Sequence, residues 1–277
     1  MRKLLAANFS RLRKDPFFRC VLAAVVIFSF VNVLNSARSC AAMAQRGFIK
    51  TLDDFYFNQA PLMGAFFGLF SSWFLGTEYA DGTIRNKLIV GHRRGHIYLS
   101  NFTVCAAASL ILLAAWLLVS ALGFGLIGPM EMGATEFVSY IAAAVVVTLS
   151  FAALFTMIGS LSANKAGTIV CTFIVFFALI AITSGLYDRL CAPEMIEGVT
   201  YINGQFLSPE PTPNPLYLSG IVRTVCQCAL ELLPTGQALL INDVALEQPI
   251  RAILLSAAFA IGVLALGSCL FRRKNIK

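Results

Sequence analysis

The sequence predicts an all-α membrane protein with six transmembrane helices, and three observations predict it. Apolar residues make up 58% of the 277 positions and charged residues only 13%. The mean hydropathy is +0.78, too apolar for an ordinary globular domain. Six stretches, about 17–35, 59–76, 100–127, 137–161, 167–186 and 250–271, are long enough for a hydrocarbon core that takes roughly 20 residues. Lysine and arginine then gather at alternate ends of these stretches. The chain through Arg19 holds 6, the 77–99 loop 4, the 162–166 loop 1 and the C-terminal tail 4, so 15 of 21 fall on one side, and 11 of the 14 acidic residues fall on the other. That asymmetry places both termini in the cytoplasm. Residues 1–277 read as one transmembrane domain. The net charge of +7 sits at the edges of apolar runs, where anionic headgroups account for it without nucleic acid.

At the N-terminus, Leu4, Leu5, Phe9 and Leu12 recur at helical spacing among Arg2, Lys3, Arg11, Arg13 and Lys14, until Asp15-Pro16 breaks the pattern. The pattern predicts an amphipathic helix on the membrane surface. A signal peptide is the competing reading, but nothing around Ser36 to Cys40 forms a cleavage site. Asp53-Asp54 in the first outer loop read as solvated charges, since adjacent side chains point apart. Gly64 and Gly68 in the second span read as packing positions within one subunit. Gly123, Gly125, Gly128 and Pro129 at the end of the third allow bends.

Between the second and third spans lies a polar island, GTEYADGTIRNKLIVGHRRGHIYLS, residues 76–100. Its middle builds a short helix from Ile84 to Val90, capped by Asp81 or Thr83 and released at Gly91. Such a helix cannot fold alone. With Ile84 and Leu88 stacked four apart, it calls for a docking partner.

The outer segment, 187–249, is long for a connector. Pro209, Pro211, Pro213 and Pro215 cluster in it, followed by an apolar stretch from Leu216 to Leu233. Arg223, Gln227 and Glu231 fall on one helical face there, which predicts an amphipathic surface helix rather than a seventh span. A seventh span would also carry Arg272, Arg273 and Lys274 outside, against the charge rule.

Chemistry is sparse. No phosphate-cradling glycine loop occurs, and His92 and His96 lack a third metal ligand. Ionisable groups at mid-membrane depth, the mark of ion-coupled transport, are missing from the six stretches. These offer only small polar residues such as Asn32, Ser109, Thr148, Ser150, Thr156, Thr172 and Ser256. Of eight cysteines, Cys20, Cys105, Cys171 and Cys269 fall in or beside apolar runs, while Cys40, Cys191, Cys226 and Cys228 fall outside, where pairing is open.

Glu78, Gly82-Thr83-Ile84-Arg85, Leu88 and then Arg93 or Arg94 resemble the loop after the second span in ABC-2-type permeases, the membrane subunits of bacterial ATP-binding-cassette exporters. The likeness runs from Gly82 to Asn101 and extends in layout to the whole chain. It implies a bacterial cell-membrane permease whose residues 82–90 form a coupling helix, seated in a separate ATPase subunit that binds ATP and Mg. It also implies a second permease, as homo- or heterodimer, and no catalytic, cofactor or metal site in this chain. Glu78 and Arg85 are expected to brace the loop by ion pairs, with Ile84 and Leu88 making the apolar contact. The competing class is a non-transporting regulator or assembly factor that docks a cytosolic partner through the 77–99 loop.

Overall fold

A computed structural model describes residues 1–48, 50–162, 164–196, 200–202, 205–207 and 211–275. The N-terminal amphipathic segment is α1 (Arg2–Lys14), and Asp15 caps the next helix by accepting from the Phe17 N–H at 2.8 Å. Then follow α2 (Pro16–Ala44), α3 (Asp53–Tyr56), α4 (Ala60–Ala80), α5 (Thr83–Ile89), α6 (Arg94–Ser120), α7 (Gly123–Leu126), α8 (Ala134–Leu161) and α9 (Lys165–Cys191). The outer segment brings β1 (Met195–Ile196), β2 (Thr200–Ile202), β3 (Gln205–Leu207), β4 (Thr212–Pro213), α10 (Gly220–Leu232) and α11 (Pro234–Asn242) before α12 (Pro249–Arg273). Strands β1 and β4 pair antiparallel, as do β2 and β3.

Among the described residues six helical stretches are long and apolar enough to cross a membrane: Pro16–Ala44, Asp53–Ala80, Arg94–Leu126, Ala134–Leu161, Lys165–Cys191 and Pro249–Arg273. All six predicted spans are therefore present, each beginning earlier than predicted, while the third ends at Leu126 and the fourth at Leu161. The extension matters at α6, which starts at Arg94 rather than near residue 100. Gly95 and His96 thus stand in a helical first turn.

Helices α4 and α8 form the centre, with 61% of their apolar windows buried inside the protein against 17% for α9 and α12. Their seam is aromatic: Phe151 and Phe155 stack with centroids 5.7 Å apart, and both meet Phe176 of α9. Small residues let the helices approach. A side chain at Gly64 would strike Phe176 at 2.6 Å and Phe151 at 2.9 Å, and one at Gly68 would meet Thr172 and Phe155. This pair is used inside the subunit, as expected. The outward sides of α2, α9 and α12 expose Ile27, Val31, Ile174, Phe177, Ile261 and Leu266, the surface lipid asks for.

Two outer features depart from the expectations. Asp53 is not a solvated charge: its two carboxylate oxygens accept from the backbone N–H groups of Glu131 (2.7 Å) and Met132 (3.1 Å), fixing the loop between α7 and α8. Asp54 pairs with Lys50 at 3.5 Å on the surface. The surface helix expected within Leu216–Leu233 is α10, and a further helix that was not expected, α11, follows it at a 93° bend. Helix α10 is amphipathic as expected. It exposes Ile221, Val222 and Val225 while Gln227 donates to Glu231 at 3.3 Å, and Glu231 pairs with Arg251 at 2.9 Å. Helix α11 instead sinks into the bundle among α4, α8 and α9, burying Thr235, Gln237, Ala238 and Ile241. Gln237 holds the elbow by donating to the carbonyls of Glu231 and of Ala252 (2.7 Å). Pro209 and residues 197–199 and 203–204 lie outside the described residues.

The elbow depends on Gly236, because an added Cβ would press on the Leu230 carbonyl oxygen, which is backbone and cannot rotate away. Gly236→Ala is expected to cost about 1–3 kcal/mol, read as a lower unfolding midpoint of the solubilised protein. Cys40, Cys191, Cys226 and Cys228 are free thiols, as are the other four cysteines.

Candidate functional site

Both termini and the polar island meet at one end of the bundle. A small apolar cluster forms there from Leu4, Ile84, Ile97, Tyr98 and Phe271, with Tyr79, Leu88 and Leu264 against it. It joins α1, α5, α6 and α12, so the island is built into the protein rather than suspended from it.

The amphipathic helix shows how. Its stripe Leu4–Asn8–Leu12, spaced four apart on one face, is buried against the bundle, while Phe9 on another face stays exposed. An asparagine on an apolar stripe needs partners, because an unsatisfied buried amide is costly. Asn8 finds them in α6: its Nδ2 donates to Ser100 Oγ at 3.0 Å and to Asn101 Oδ1 at 2.9 Å. Asn101 in turn donates to Glu78 Oε2 at 2.8 Å.

Glu78, 1% exposed at the end of α4, is the centre of this network. Its Oε1 pairs with Arg11 of α1 at 3.0 Å and with Lys87 of α5. Lys87 also donates to Asn8 Oδ1 at 3.1 Å, and Arg11 to the Phe74 carbonyl at 2.5 Å while lying 4.0 Å over the Phe74 ring. A buried carboxylate is tolerable only when paired and hydrogen-bonded. Here two cations and one amide meet that requirement, and in doing so they fasten four helices to one another.

Helix α5 begins without a side-chain cap. Gly82 takes the N-cap position at φ +64°, a left-handed conformation that glycine adopts without strain. The expectation that Asp81 or Thr83 would cap it is thus corrected: the Thr83 hydroxyl donates back to the Glu78 carbonyl at 3.0 Å. Ile84 is turned inward and 2% exposed, with Leu88 half-buried beside it, so the apolar pair expected to meet a partner is part of the protein's own core. The surface that α5 offers is Ile89, 81% exposed, and Val90, 76% exposed, with Arg85 and Asn86 also outward. Two adjacent large apolar side chains are thus exposed at a polar end of the protein.

Past Gly91, Arg94 reaches across to the C-terminal tail, donating to the carbonyls of Arg272 (3.1 Å) and Lys274. Lys274 continues over α4 and α8, donating to Tyr79 Oη (3.1 Å) and to the carbonyls of Ser160 (3.1 Å) and Ser162 (2.6 Å). Burial among these groups pushes its ammonium down to about 8. Its charge therefore begins to fade just above neutrality, while its contacts to carbonyls need no charge. Among the described residues no three His, Cys, Asp or Glu side chains come together to hold a metal ion.

The structure therefore brings Glu78, Thr83, Ile84 and Leu88 into one cluster and leaves Arg85 outward, with Arg93 and Arg94 at the start of α6. Sequence reasoning missed Asn8, Arg11, Lys87 and Ser100, and the available signal was Asn8 on the apolar stripe. Compared with known proteins, residues 4–181 match the model of a family described as ABC-2 family transporter protein. No curated protein matches the chain.

Proposed function

From the premise that this chain belongs to the ABC-2 family of transporter proteins, we propose that it is an exporter's permease subunit, driven by a separate ATP-binding subunit that docks on α5. The family provides the membrane component of a transporter, which is not itself catalytic, and generally works with an ABC ATP-binding subunit. In this reading ATP and Mg belong to the partner, the end bearing α1, α5 and both termini faces the cytoplasm of a bacterial cell, and two permeases enclose the pathway.

The observation that carries the proposal is the pairing of an exposed apolar tip, Ile89–Val90, with a rigid base at Glu78. A docking helix transmits movement only if it is fixed to what it must move. Through Glu78, Lys87 and Asn8, a displacement of α5 is passed to α1, α4 and α6 together. ATP-driven closure of the partner thereby biases a two-state bundle. The basic character of this end supports the cytoplasmic orientation by the charge rule.

The test is recovery of the detergent-solubilised protein from its native membrane, with mass spectrometry of the cytosolic subunit that accompanies it, followed by reconstitution of the pair in vesicles. A P-loop ATPase and ATP-dependent movement of a hydrophobic compound are the expected results. Recovery with a kinase or protease, or an ATPase without any movement, would favour the regulator or assembly factor instead.

A further inference from the structure

We propose that the start of α6 and the end of α12 form a binding site for the headgroup of an anionic glycerophospholipid. A groove of about 550 Å³ opens there, lined by Arg93, Arg94, Gly95, His96, Leu99 and Arg272.

Three guanidinium groups are gathered, among the described residues, without a carboxylate to balance them. None of the ion pairs among the described residues involves Arg93, Arg94 or Arg272. Of the acidic side chains of this end, Glu78 serves Arg11 and Lys87, Asp15 caps α2, and Asp81 at the start of the 81–93 segment forms no ion pair with these arginines among the described residues. Like charges held together repel, so the cluster is stabilised by an anion between them.

The cations are also held in place. Arg94 is anchored through Nη1 to the carbonyls of Arg272 and Lys274, and Arg272 lies across Gly95, where an added Cβ would come within 3.0 Å of its Nη2. Glycine at 95 is thus what lets Arg272 cross the first turn of α6. That turn has no side-chain cap, so its N–H groups and the helix dipole add to the positive field.

The occupant is a lipid because apolar surface continues from the groove. Leu99 in the lining is 41% exposed, and on α12 Ala265 and Ile261, on the helical face of Arg272, are exposed, Ile261 by 68%. A phosphate diester would sit among the arginines, with its acyl chains along these apolar residues. A net anionic lipid is selected over a choline lipid, whose ammonium would face the same arginines. This assignment needs only that the chain spans a membrane, and it stands apart from the ATPase reading.

Native mass spectrometry of the purified full chain tests it, with dioleoylphosphatidylglycerol, dioleoylphosphatidylcholine and inorganic phosphate as probes. The wild type is expected to retain phosphatidylglycerol in preference to phosphatidylcholine. Arg93→Gln with Arg272→Gln should weaken phosphatidylglycerol about thirty-fold, the loss for two guanidinium groups at a membrane surface. Arg93→Gln alone, outside the helix, should weaken it about five-fold and covers the case in which the double variant fails to fold. Arg13→Gln with Lys14→Gln, at the end of α1 away from Leu4 and the groove, should change nothing. Equal retention of both lipids, wild-type binding by the Arg93 variants, or an equal loss in the Arg13/Lys14 control would overturn the site. Displacement of phosphatidylglycerol by millimolar phosphate would overturn its assignment to a lipid.

Discussion

Glu78→Ala lowers the stability of the solubilised protein by about 3–5 kcal/mol, the usual consequence of removing one partner from a buried ion pair. The loss arises because Arg11 and Lys87 both point at the vacated position, with side chains only 29% and 15% exposed. Asn101 loses its acceptor as well. The damage is local before it is global: with its anchor gone, α1 should lift from α6, and trypsin should cut at Arg11, Arg13 and Lys14 faster than in the wild type. Adding Lys87→Met should return part of the loss, since one of the two stranded charges disappears. Unfolding midpoints and tryptic rates indistinguishable from wild type would show that Glu78 does not hold this end together.

On the proposed reading of α5 as the docking helix for an ATPase subunit, Ile89→Asp with Val90→Asp should release that subunit and leave this protein folded. Both side chains are almost fully exposed, so charge there costs the isolated protein little. In a docked complex they would be desolvated, and two apolar anchors of an interface are together worth about 100-fold or more in affinity. Co-purification and ATPase coupling are the measurements. Ile84→Asp is the contrast, because it places a charge in the cluster of Leu4, Ile97, Tyr98 and Phe271 and should lower the unfolding midpoint itself. If the Ile89/Val90 variant still carries its ATPase at wild-type stoichiometry, the docking face lies elsewhere on this end.

The contrast between Ile84 and Ile89 also shows where sequence reasoning stops. Periodicity located the short helix and marked it amphipathic, but a seven-residue helix has too few apolar positions to say which of them face inward. Whether a stripe meets its own protein or a partner is decided by what lies beside it, here Leu4 and Phe271 from the two ends of the chain. The same limit applies to Glu78. Its charge was legible as a brace, but not its partners: the network runs to Arg11, Lys87 and Asn101, 67, 9 and 23 residues away. Helix α11 escaped for another reason: nine residues are too short to announce a span, and they lie beyond the stretch ending at Leu233 on which the surface helix was expected.

What the sequence by itself determined is the membrane class, the six spans, the basic asymmetry of the two sides, the N-terminal and island helices, and the family. The family rests on the resemblance of the 82–101 loop; the rest follow from length, hydropathy and local period, which a lipid solvent enforces because every backbone polar group in a span must be satisfied within it. What only the tertiary structure decided is the buried Glu78 network, the inward turn of Ile84, the exposed tip at Ile89–Val90, the re-entrant elbow and the arginine groove. Each of these depends on contacts between segments far apart in the chain, and no local pattern encodes which distant side chain will complete a buried charge.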